Sequence, residues 1–219
     1  YLFYYTSRKL ILMRNYIIKN TIIINEGKNF NGEVLIKNGR IEKIASQIET
    51  PVGVIEINGE GKYLIPGAID DQVHFREPGL THKATIYTEA KAAIAGGVTS
   101  FMEMPNTKPP ALTQELLEEK YAIAANNAAN YSFFMGTSND NADEVLKTND
   151  NKENVCGVKI FMGSSTGNML VDNHLSLDRI FRESELLIAT HCEDERIIKS
   201  NLEKLRSTKA VLEAADHPI

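Results

Sequence analysis

The sequence predicts an α/β protein in which a small all-β module precedes a run of βα units. Three observations carry that expectation. Short β-branched segments separated by turns fill residues 13–64, apolar strand-like runs then recur about every 30 residues, and helix-like stretches lie between those runs.

In the module, YIIKNTIII, EVLIKNGRIEKIA and VGVIEI read as strands, and Asn38-Gly39 is a two-residue hairpin signal. Roughly 50 residues is near the size where isolated stability becomes marginal, so the module, as part of a small β-sandwich, is expected to pack on something else. From Ile65 the strand-like runs are LIPGAIDDQVHF, VTSFMEMPN, NYSFFMGTS, GVKIFMGS and LLIATHCED. THKATIYTEAKAAIAGG and TQELLEEKYAIAANNAAN are helix-like stretches between them. This alternation implies a parallel sheet with crossover helices. Each strand ends in a polar loop carrying His, Asn, Ser or Glu, and a (β/α)8 barrel keeps its chemistry at those C-terminal strand ends. Five strands would also complete an open doubly wound sheet, and the residues alone leave both architectures open.

Composition narrows the function. The 219 residues are 42% hydrophobic and 24% charged, as in an ordinary globular protein. A net charge of −5 without a dense Lys/Arg run argues against nucleic-acid and membrane-surface roles. Cys156 and Cys192 have no disulfide-framework spacing and suit a reducing cytoplasm. YLFYYTSRKLIL, residues 1–12, is too short to span a bilayer, which needs about 20 apolar residues. It reads as a non-native or disordered extension ahead of a natural start at Met13, with an N-terminal anchor as the alternative.

The stretch IDDQVHFREPG carries the first chemical signal. If residues 69–76 are extended, Asp70, Gln72, His74 and Arg76 share one face while Val73 and Phe75 face covering helices. Four polar residues on a buried strand face are costly unless they are paired or bind something; the bland reading is a solvated edge strand. Asn106 closes the second strand. Lys159 sits in the apolar run GVKIFMG, where an unpaired ammonium is disfavoured, and His191 closes IATHCED. His74, Lys159 and His191 are expected at equivalent strand ends, whereas Cys192 alternates away from His191 and reads as packing. The run Gly163–Gly167 lacks the Gly-Lys pattern of a phosphate cradle.

Together, GAIDDQVHFREPG, AGGVTSFMEMPNTKPP, GVKIFMGSSTGNMLVD and LLIATHCEDE make the chain resemble the dihydroorotases of the amidohydrolase superfamily, from about Met13 onward. The resemblance implies a TIM-like (β/α)8 barrel of which residues 65–219 supply about five βα units. It implies a zinc-dependent enzyme, with one or two Zn2+, that interconverts dihydroorotate and N-carbamoyl-aspartate in pyrimidine biosynthesis and can form a homodimer. A bound divalent metal lowers the pKa of its water to about 7 and polarises a carbonyl, which suits opening a cyclic amide. By the same resemblance His74 and His191 are metal ligands, Lys159 matches a lysine that relatives carboxylate, and Arg76 and Asn106 grip the substrate carboxylate.

Two departures from the family pattern bear on these expectations. Gln72 stands where the first metal-binding histidine is usual, and an amide oxygen suits harder cations better than zinc. The general-base Asp and a further metal-binding His are expected beyond Ile219, and His217 is not assigned to the metal. The fragment is therefore expected to lack turnover and to aggregate through an open sheet edge. Two other functions stay open: a non-catalytic dihydroorotase-like assembly subunit, and an allantoinase- or hydantoinase-type cyclic amidase.

Overall fold

A computed structural model of the protein describes residues 14–163 and 168–216. The expectations for residues 1–12, for most of the Gly163–Gly167 run and for His217 therefore lie outside the described residues. The chain divides into two compact units at Pro66/Gly67.

The first unit is a five-stranded mixed sheet. Strands β1 (Tyr16–Asn25), β2 (Lys28–Lys37) and β3 (Arg40–Ala45) pair antiparallel in chain order, while β4 (Ile55–Asn58) and β5 (Tyr63–Leu64) pair parallel to β1. The β2–β3 turn is Asn38-Gly39, at φ 52° and 73°. Both central residues are thus left-handed, the geometry whose twist matches the flanking strands. The β1–β2 turn uses Glu26-Gly27 at φ 49° and 72°. Ile17, Leu35 and Ile48 form the small core of this unit, and the buried Glu33 accepts the Ile48 N–H at 2.6 Å.

The second unit is built on five parallel strands: β6 (Ala68–Val73), β7 (Val98–Glu103), β8 (Asn130–Gly136), β9 (Gly157–Phe161) and β10 (Ile188–His191). Their order in the sheet is their order in the chain. A doubly wound sheet must reverse its strand order at a switch point, and this sheet does not. Right-handed crossovers in one unbroken direction put the helices on one face and leave the other as an interior wall. The incomplete barrel is therefore the architecture, and the open doubly wound alternative is set aside.

Each crossover helix starts at a polar cap. Thr85 begins α1 (Ile86–Ala95) with a reciprocal bond to Thr88, and Thr113 begins α2 (Gln114–Ala124) by accepting the Leu116 N–H. Helix α3 (Ala142–Leu146) is short; Asn173 caps α4 (His174–Glu183) and Asp194 caps α5 (Glu195–Thr208). α1 stops at Gly96-Gly97, where Gly97 has φ 93°. Between strands and helices lies a core that includes Ile86, Phe101, Phe133, Val158 and Ile160. All five residues of β9 are buried, as expected of a parallel strand covered on both sides.

Candidate active site

The first strand departs from simple alternation. Its pairing with β7 slips between Ala68 and Ile69 and again between Asp70 and Val73, so Asp70 pairs with Phe101 and Val73 with Glu103. A bulge re-aims the side chains that follow it. The expected common face of Asp70, Gln72, His74 and Arg76 is thus corrected: the strand ends at Val73, and Arg76 sits in the left-handed region at φ 71°. Val73 and Phe75 do pack on the core beneath the helices. Among the described residues β6 is an edge of the sheet, and Gln72 and His74 are exposed there.

Beyond Val73 the chain makes a turn that faces the one following β7. The Met104 N–H donates to Val73 O at 3.0 Å, and the Lys108 N–H donates to Pro78 O at 3.2 Å. These backbone bonds bring the two strand ends together, and His74 Nδ1 lies 2.9 Å from Asn106 Oδ1. Gly79, at φ 78°, is required here: a Cβ on it would meet Lys108 O at 2.0 Å.

The interior wall carries the remaining predicted residues. Lys159 lies in the middle of β9, paired with Gly136 and Ala189, while His191 ends β10 and pairs with Phe161. The expectation of equivalent strand-end positions is corrected for Lys159, whose long side chain must carry its amine from a mid-strand Cα. In parallel pairing, Lys159 and His191 belong to the same face, two residues apart in register. Lys159 is 4% exposed, with Nζ 5.0 Å above the Phe161 ring. His191 Nε2 approaches Glu193 Oε2 at 3.3 Å. Cys192 is exposed and bonds Thr190, rather than packing in the core.

Burial lowers the pKa of both His74 and Lys159. Crowding around its ring pushes the His74 imidazole below its usual pKa; the Arg76 charge adds to this, Asn106 opposes it, and Lys159 and Lys120 add further. Burial likewise lowers the Lys159 pKa, with Cys192 opposing. Arg76 is thus the positive charge beside His74 that suits a carboxylate, since the Lys120 ammonium is already paired with Glu103.

Two residues that sequence reasoning missed support this site from within the core. Glu103 and Lys120 form an ion pair in which each residue is 1% exposed. Burial pushes the Glu103 carboxyl up and the Lys120 ammonium down, and each partner opposes the other's shift. The signal was a glutamate inside the apolar run VTSFMEMPN, the same kind of signal that singled out Lys159.

Among the described residues, no three His, Cys, Asp or Glu side chains converge to hold a metal. The donors available are the imidazoles of His74 and His191, the amide of Gln72 and the amine of Lys159. That set fits a zinc site in its chemistry once Lys159 supplies an anionic oxygen and not an ammonium.

Comparison with known proteins fixes the family. A family model described as Dihydro-orotase-like matches residues 61–201. A dihydroorotase from Listeria welshimeri is 36% identical over 191 residues, covering 84% of this chain and 43% of its own length. One from Methanosarcina acetivorans is 32% identical, covering 86% of this chain and 40% of its own length. The chain therefore spans about two fifths of the length of these relatives. Among solved structures, an L-hydantoinase (dihydropyrimidinase) from Arthrobacter aurescens superposes with a TM-score of 0.82 at 24% identity, covering 94% of this chain and 46% of that one. A D-hydantoinase (dihydropyrimidinase) from Thermus sp. gives 0.72 at 26% identity, covering 88% and 43%. With the parallel barrel wall, the paired strand-end loops and the match across residues 61–201, the chain belongs to the dihydroorotase-like family.

Proposed function

We propose that the full-length protein is a dihydroorotase, carrying out the zinc-dependent, reversible hydrolysis of dihydroorotate to N-carbamoyl-aspartate in pyrimidine biosynthesis. The observation that carries this reading is the contact of His74 Nδ1 with Asn106 Oδ1 at 2.9 Å, beside Arg76, on a chain of this family. Both reactants are carboxylates, and Arg76, whose positive charge acts on His74, suits them. Arg76 offers a planar fork for bidentate grip, and the Asn106 amide N–H groups remain for a second contact.

His74, Lys159 and His191 would hold the metal, with Gln72 beside them. A proton on His74 Nδ1, donated to Asn106, leaves the Nε2 lone pair for coordination. The buried Lys159 amine is disfavoured as an ammonium, which suits carboxylation. Nζ attacks CO2, a C–N bond forms, one proton leaves, and an anionic carbamate replaces the amine. Bound zinc would supply a water of lowered pKa and polarise the ring amide carbonyl. Cytoplasmic localisation, a homodimeric assembly and a small-molecule substrate belong to the same proposal.

The test is turnover by the full-length protein of dihydroorotate, N-carbamoyl-aspartate, hydantoin and allantoin. Dihydroorotate is expected to be preferred by about tenfold or more in kcat/KM, the scale of one hydrogen bond to a charged group at ~1.5–3 kcal/mol. Hydantoin or allantoin turnover without dihydroorotate turnover would move the assignment to those amidases. No turnover of any of them would favour the assembly subunit.

A further inference from the structure

We propose that the buried Glu103–Lys120 pair is a positioning unit that holds both loops of the candidate site, setting Arg76 and Asn106 from behind. Glu103 is the last residue of β7, and Lys120 lies on the buried side of α2 with Leu117 and Ala124. Neither side chain reaches the site face. Their contacts instead run to the backbone of the two loops that carry it. Glu103 Oε1 accepts the Arg76 N–H at 3.3 Å, and the Phe75 N–H also hydrogen-bonds this carboxylate. Lys120 Nζ donates to Met104 O at 2.9 Å, two residues before Asn106. One ion pair therefore anchors the turn after β6 through its anion and the turn after β7 through its cation.

The backbone at Arg76 gives this anchor its purpose. An arginine at φ 71° is disfavoured against the extended alternative, because its Cβ crowds the following carbonyl. A left-handed non-glycine residue persists only where surrounding structure over-determines it, and Glu103 supplies a bond to that same N–H. If the bond is lost, Arg76 can relax and its guanidinium swings away from His74. Stability alone is a poor account of the pair, since well-packed apolar side chains commonly replace a buried ion pair without loss.

The decisive variant is the apolar double substitution Glu103→Leu/Lys120→Met in the full-length protein, which keeps the core filled while removing both backbone anchors. The crystal structure of the variant is expected to show residue 76 outside the left-handed region and His74 no longer bonded to Asn106. The kinetic part rests on the proposed dihydroorotase activity: KM for dihydroorotate should rise at least tenfold with a smaller change in kcat. Lys120→Arg, which preserves the cation, should restore most of the affinity lost in Lys120→Met. A variant crystal structure with the φ of residue 76 and the His74–Asn106 contact unchanged would overturn the proposal. Should wild type fail to turn over dihydroorotate, the activity reading falls while the structural comparison still decides the positioning role.

Discussion

His74 and Asn106 are 32 residues apart in sequence, yet His74 Nδ1 meets Asn106 Oδ1 at 2.9 Å across the ends of β6 and β7. The contact occupies Nδ1 and so leaves Nε2 as the ring nitrogen available to another partner. Replacing Asn106 with Ala is expected to weaken metal binding by about 10–100-fold, the usual cost of losing a partner that orients a ligating histidine. Competition titration against a chromophoric chelator measures this, and an unchanged affinity would remove Asn106 from that role.

Gln72 gives a second prediction. A neutral amide oxygen is a weak zinc donor beside imidazole. The full-length protein should hold one zinc firmly and a second weakly or not at all, by elemental analysis after dialysis. Gln72→His should raise the firmly held metal toward two per chain, while Gln72→Ala leaves the first unchanged. Two tightly held zincs in the native protein would refute this.

Gly79→Ala tests the seating of the first loop. The new Cβ would meet Lys108 O at 2.0 Å at a φ of 78°. Left-handed strain and overpacking together should cost about 3 kcal/mol, read as a lowered denaturant midpoint. A change within about 0.5 kcal/mol, the range of ordinary surface substitutions, would mean that the loop is not tightly seated.

The two thiols should separate by reactivity. Burial pushes the Cys156 thiol up to about 11, with a Ser132 hydrogen bond opposing, whereas Cys192 is exposed. At pH 8 an alkylating reagent should modify Cys192 first and reach Cys156 only on unfolding, as mass spectrometry would show. Because the folded pKa of Cys156 is raised from 9.0, its contribution to stability is fully present below pH 9 and is lost as pH rises toward 11. Equal alkylation rates in the native protein would contradict this.

Much of the fold was legible from local signals. Asn38-Gly39 named its own turn, because both residues tolerate positive φ, and the five apolar runs marked β6 to β10. The Glu26-Gly27 turn was not legible, since glutamate carries no preference for the left-handed region that it adopts there. In the site, His74, Asn106 and Lys159 stood out as polar residues at the ends or in the middle of apolar runs. The bulges in β6 and the left-handed Arg76 did not, because pairing register and the hydrogen bond that the Arg76 N–H donates to Glu103 set them, and neither is local in sequence. Glu103 was readable as a glutamate inside an apolar run, but its partner was not: Lys120 lies among the charges of TQELLEEKYAIA and only the fold brings the two together.

The matching of sheet order to chain order has a consequence for assembly. Each strand from β7 onward finds its docking edge already made by the strand before it, with a short helical stretch as the intervening tether. Loop-closure cost is then small and similar at every step. A chain emerging from the ribosome can lay down these five strands one unit at a time, because none of them has a later strand inserted between it and its predecessor.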